Sequence, residues 1–131
     1  MPELQFAEDT AMPPTVNKWL VAVAGLSGAA GVGLAAAGTH TGQPDLGVAA
    51  NFLLFHAPAL IGIALLSGNR IATAAGWVLV AGLVLFAGDL VMLTERGASP
   101  FPLAAPIGGS LMILGWLLVA LSPFAGRPGE R

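Results

Sequence analysis

At 131 residues the chain has room for one domain, and its make-up is not that of a soluble one: 56% of residues are hydrophobic, 9% are charged, and 18 glycines and 10 prolines are spread among them. A soluble globule carries roughly 25% charged residues because its surface must be wetted, so this chain must set most of its outer face against lipid, where helices satisfy their own backbone. A net charge of -2 without a basic cluster excludes nucleic acid as a partner, and the lack of cysteine removes disulfides, thiolate metal sites and Cys nucleophiles.

Residues 1–17 are polar and acidic, with Glu3, Glu8, Asp9, Pro13 and Pro14, and read as a loosely ordered N-terminal tail. Residues 18–38 are almost wholly apolar or small. At about 1.5 Å per residue they cross the roughly 30 Å hydrocarbon layer and form the first predicted helix. The acidic stretch before it argues against a cleaved signal peptide, whose leading region is basic. Residues 39–46 gather polar and turn-forming types and predict a loop. The second helix covers 47–66 and ends in the turn Ser67-Gly68-Asn69-Arg70. The third covers 71–93, and a second loop with Glu95, Arg96, Gly97 and Pro100 follows. Pro106 suits the first turn of a fourth helix, 106–122, because its missing N–H would have had no helical partner there. Pro123 stops that helix and opens a tail, 123–131. The expected fold is an all-α integral membrane four-helix bundle.

Basic residues in short flanking segments set orientation. Lys18, Arg70, Arg127 and Arg131 share one side and only Arg96 lies on the other. The expectation is an inner-membrane protein with both termini cytoplasmic, with Trp19 anchoring helix one at the interface. Trp77 and Trp116 lie deeper and read as packing residues. Helix association in lipid depends on close approach, which small residues permit. Gly25, Gly28 and Gly33 in helix one and Gly108 and Gly109 in helix four are the expected packing positions, for the bundle itself or for a dimer face.

An ionisable group inside a membrane helix costs about 2.5–3.5 kcal/mol at the centre on insertion scales, so each one needs an account. His56 lies about 13 Å into helix two, Asn51 and Asp89 nearer the outer ends of their helices, and His40 at the outer end of helix one. All four fall in the outer half and are candidates for a shared polar or ligand-binding cluster. Asn51 and His56 diverge by about 140° on an ideal helix. Pro58 removes the hydrogen bond that the Leu54 carbonyl would accept, and so favours a bend that could realign them. Two histidines without a third strong ligand do not make a zinc site, no metal site is predicted, and the residues name no cofactor. Phosphate-binding, nucleophile-elbow and His-Glu-x-x-His motifs are absent, so catalytic residues are not assigned.

Four segments resemble, in order, the signatures of the YgdD-like family of small membrane proteins, domain of unknown function 423. They are Ala35-Ala36-Ala37-Gly38-Thr39-His40, Phe52-Leu53-Leu54-Phe55-His56-Ala57-Pro58, Phe86-Ala87-Gly88-Asp89-Leu90-Val91, and Ala105-Pro106-Ile107-Gly108-Gly109 followed by Gly115-Trp116. The resemblance spans about residues 20–122. Against the family pattern a Gln is replaced by Leu53, two Tyr by Phe52 and Phe55, and a Ser by Asp89, so the polar positions are rewired. Membership implies a four-helix inner-membrane protein without an established activity. Three functional readings stay open at this point. One is a non-catalytic accessory subunit or scaffold with a lipid- or quinone-sized polar pocket, partnered by the bilayer and by a larger membrane complex or a second copy. Another is a small proton-coupled transporter acting as a dimer through Asp89 or His56. The third is a haem- or quinone-binding membrane protein.

Overall fold

The computed structural model describes residues 15–125, so most of the two predicted tails lies outside the described residues. Four α-helices follow one another: α1 (Lys18–Thr41), α2 (Pro44–Ala64), α3 (Arg70–Arg96) and α4 (Ala104–Leu121), the last continued by a 3-10 turn at Ser122–Phe124. Each of the four, with the turn added to α4, is long and apolar enough to cross a membrane. α1 packs along α2, α2 along α3 and α3 along α4, while α1 touches α3 only slightly.

The loop predicted at 39–46 shrinks to Gly42 and Gln43. Thr39 and Thr41 donate their hydroxyls back to the carbonyls of Ala35 and Ala37, at 2.9 and 2.8 Å, so these polar side chains continue the helix with their donors satisfied. α1 stops at Gly42, which takes the left-handed conformation at φ 68° and returns its N–H to the Gly38 carbonyl. Pro44 opens α2 immediately afterwards. α3 likewise runs three residues past the predicted 93 to Arg96 before Gly97 ends it at φ 69°. α4 starts at Ala104 and not at 106, so Pro106 is its third residue, still among the four whose N–H groups lack helical acceptors.

The opposite end is closed by two asparagines. The Asn17 side chain accepts from the Leu20 N–H at 3.2 Å, and the Asn17 N–H donates to the last carbonyl of α2, Ala64, at 3.0 Å. Asn69 accepts from the N–H groups of Ile71 and Ala72, capping α3, and donates its Nδ2 to the Ser122 carbonyl at 2.7 Å. The buried apolar cluster of Leu20, Ala24, Leu60, Ile63, Ala64, Leu79, Leu83 and Met112 is contributed by all four helices. Trp19, Leu26, Phe55, Val84, Ile113 and Leu117 point outward, as expected where the surrounding solvent is hydrocarbon.

Glycines do bring the helices together, but not all the predicted ones do. Gly28 makes ordinary contact with Ala57, whereas Gly25, Gly33 and Gly109 would meet nothing within 4 Å if given a side chain. Tight approaches are made at Gly108, one of the predicted positions, and at Gly31 and Gly82. A Cβ on Gly31 would lie 2.7 Å from Leu54, one on Gly82 2.6 Å from the Gly108 carbonyl, and one on Gly108 2.6 Å from the Phe86 nitrogen. The four-residue spacing of Gly25, Ala29 and Gly33 marks a real stripe, but it is the stripe that α1 turns away from α2. A Gly stripe in hydrophobic sequence looks the same from either side, so spacing alone does not say which face is inside.

Candidate functional site

Contacts between helices fix how deep each polar residue sits. Gly38 approaches Gly47 and Gly28 approaches Ala57, Phe52 packs on Phe86 with ring centroids 4.5 Å apart, and Gly76 lies against Ile63. Read as antiparallel registers, these pairs set His56 level with Gly82 and Leu83, and Asp89 about 10 Å further towards the Gly42 end. His40 lies about 7 Å beyond Asp89. The expected cluster of His40, His56 and Asp89 is therefore drawn out along the bundle axis, and no hydrogen bond among the described residues joins any two of them or reaches Asn51. The ends of the helices converge as the short connections require; the side chains are separated by depth.

His56 is the best-satisfied of the four. It is 7% exposed; its Nδ1 lies 2.7 Å from the Phe52 carbonyl one turn back, and its Nε2 is 3.2 Å from Trp116 Nε1 on α4. An indole N–H can only donate, so Nε2 is the acceptor and the proton sits on Nδ1, donated to Phe52. The imidazole is thus neutral with both nitrogens engaged. It links the α1–α2 hairpin to the α3–α4 hairpin. Coordination of a haem iron by Nε2 would displace Trp116. The ring does not take the Leu54 carbonyl that Pro58 frees; it takes the Phe52 carbonyl, which is reached within one turn of the same helix, and a neighbouring helix supplies the other partner. Trp116, read as a packing residue, is the partner the sequence did not disclose, and the Gly115-Trp116 pair of the family signature was its only signal. Within the α1–α2 hairpin, Ser27, 6% exposed, ties α1 to α2 by donating to the Leu53 carbonyl at 2.9 Å.

Asp89 is the opposite case. It is 4% exposed, and its Oδ1 is buried without a hydrogen-bond partner among the described residues. Buried polar groups are normally paired because desolvating them is costly, so this carboxylate marks a place where the fold leaves an interaction unmade. His40 and Asn51 are exposed. Asn51 shares the level of Asp89 but opens on a cavity of about 380 Å³ at the Gly42 end of α1 and α2, lined also by Ala35, Gly38, Thr39, Gly42, Gln43, Pro44 and Gly47. Small residues make the space, and the Asn51, Gln43 and Thr39 side chains give it polar edges. No group of three or more His, Cys, Asp or Glu able to hold a metal occurs among the described residues.

Comparison with known proteins agrees with this picture of a membrane helix bundle. The chain is similar to a UPF0382 membrane protein of Staphylococcus haemolyticus, 37% identical over 78 residues, which are 58% of this chain and 64% of that protein. It is similar to the UPF0382 membrane protein YwdK of Bacillus subtilis, 34% identical over 73 residues, 53% of this chain and 59% of that one. A UPF0382 membrane protein of Haemophilus influenzae is 31% identical over 123 residues, covering 85% of this chain and 97% of that protein. The match to the first relative thus spans slightly less than two thirds of its length. No solved structure matches. The family described as protein of unknown function DUF423 matches residues 34–109, a segment that contains His40, Asn51, His56, Asp89 and the whole α1–α2 cavity; the chain belongs to this family of membrane proteins.

Proposed function

We propose that the protein is a non-catalytic component of the inner membrane, an accessory subunit or small scaffold that holds a lipid- or quinone-sized molecule in a polar pocket in the outer half of its bundle. The observation that carries this reading is the cavity of about 380 Å³ between α1 and α2, where polar side chains of Thr39, Gln43 and Asn51 edge a space made by small residues. Ligand sites carry a few placed polar groups that fix orientation, and this open groove supplies three of them among small residues. The orientation belongs to the same proposal. With Lys18, Arg70, Arg127 and Arg131 on the cytoplasmic side, the Gly42 end faces outward.

Purification in a gentle detergent followed by native mass spectrometry tests the proposal. A bound amphiphile, or a stoichiometric membrane protein partner, is the expected result. A bare chain without either, together with ion or drug flux in proteoliposomes, would overturn it in favour of the transporter reading. That second reading has one observation of its own, the buried and unpartnered carboxylate of Asp89, since intramembrane carboxylates recur in ion pathways.

A further inference from the structure

α3 and α4 meet in a regular antiparallel register. A side chain on Gly82 would strike Met112, one on Gly108 would strike Phe86, and one on Gly115 would strike Leu79. Each residue gained along α3 is matched by one lost along α4, so the next turn sets Asp89 level with Ala105. Gly82, Phe86 and Asp89 follow the i, i+4, i+7 spacing of a single helical stripe; Asp89 therefore belongs to the face that meets α4. Its burial agrees, at 4% exposure with Oδ1 unpartnered.

Across this seam the first turn of α4 has a matching need. Its flanking residue Leu103 provides no side-chain cap. The Ala104 N–H reaches the Phe101 carbonyl at 3.3 Å and the Ile107 N–H reaches Leu103 at 2.9 Å, while Pro106 has no N–H. The Ala105 amide is the donor left over in that turn. An acceptor and a donor thus wait at one depth in apolar surroundings, and the pair is selective. A cation would suit the carboxylate but would face the positive end of the α4 dipole; an anion would suit the amide but would face the carboxylate. A hydroxyl serves both, donating to one and accepting from the other. The level lies about 10 Å along the axis from Arg96 at the end of α3, so such a ligand arrives through the bilayer.

We infer that Asp89 and the first turn of α4 form a binding site for the hydroxyl group of a membrane amphiphile. The phenolic hydroxyl of a quinol and the glycerol hydroxyl of a diacylglycerol are the two sources of that chemistry. This site lies between α3 and α4, apart from the α1–α2 cavity, and stands or falls independently of it.

The test uses the full chain in phosphatidylcholine nanodiscs, labelled so that the Ala105 amide nitrogen and the Asp89 carboxyl carbon are both visible by NMR, and titrated with decylubiquinol or with dioleoylglycerol. The expected result is a saturable shift of the two signals together, with the amphiphile that produces it identifying the source. Asp89→Asn, which keeps an acceptor but loses the charge, weakens binding about tenfold, and Asp89→Leu abolishes it. Signals that stay still with both amphiphiles, or that move singly, would overturn the inference. So would undiminished binding to Asp89→Leu, or an Ala105 amide already bonded directly to the Asp89 carboxylate before titration. Should Asp89→Leu fail to fold, the paired shift in the unaltered chain decides the matter alone.

Discussion

At the end of the bundle that carries Asn17 and Asn69, hydrogen bonds tie the start of α1 to the end of α2 and the start of α3 to the end of α4. At the Gly42 end the start of α2 and the start of α4 have no side-chain caps, a cavity opens beside α2, and Asp89 is buried without a partner. Two asparagines close one end; at the other, the amide side chains of Gln43 and Asn51 and the Asp89 carboxylate are without a hydrogen-bond partner among the described residues. Under the proposed function the difference is a division of labour along the axis, in which one end holds the fold and the other is kept available. A buried polar group without a partner is costly, and under the proposed function Asp89 and the amides that edge the cavity are where an occupant would sit.

Substitutions at three places in the bundle break or sharpen that comparison. The largest effect is expected at the α3–α4 seam, which both ends share. In Gly108→Ala the new Cβ meets backbone, the Phe86 nitrogen at 2.6 Å and the Gly82 carbonyl at 2.7 Å, and neither can rotate away. Unfolding in detergent should show a loss of about 3 kcal/mol, whereas Gly109→Ala, which meets nothing, should be near neutral; equal losses would mean that the seam is not tight. Next comes the closed end. Asn69→Ala removes the α3 cap and the bond to Ser122, and a loss of about 2 kcal/mol is expected in the same assay; a loss below about 0.5 kcal/mol would deny that the asparagines hold that end. Between the ends lies the His56–Trp116 link. Trp116→Phe should cost about 1 kcal/mol, and combining it with His56→Phe should cost less than the sum, since both remove one bond. His56→Phe combined with Asp89→Leu should be additive, because the register separates them by about two turns; strong coupling would bring back a single polar cluster.

How much of this was legible in the sequence depends on the kind of contact. Four spans follow from runs of apolar residues, since bilayer thickness sets their length, and Gly42, Pro44 and Gly97 mark where the chain turns. The extents of α1 and α3 were underestimated because Thr39, Thr41, Thr94 and Glu95 look like loop residues, while a threonine hydroxyl returned to the helix backbone, as for Thr94 on Leu90 at 2.9 Å, costs the helix little. The candidate polar residues could be named because ionisable groups stand out in apolar sequence. Their relation could not. Which face of a helix is inside depends on the register against its neighbours, and that register is fixed by Gly31, Gly76, Gly82, Gly108 and Gly115, which the sequence does not distinguish from outward-facing Gly25, Gly33 and Gly109. The partnership of His56 with Trp116, 60 residues away, belongs to the same class of information.

The division between a closed end and an available one is tested most directly by measuring stability and ligand retention on the same samples. Native mass spectrometry and thermal unfolding would be run on the full chain purified in gentle detergent, unaltered and as Asn69→Ala and Asn51→Ala. Asn69→Ala should unfold earlier yet keep the co-purified amphiphile at low temperature. Asn51→Ala, altering an exposed residue that edges the cavity, should lose the amphiphile while the apo form's stability stays within about 0.5 kcal/mol of the unaltered apo chain. Loss of the amphiphile from Asn69→Ala with full retention by Asn51→Ala would contradict the account.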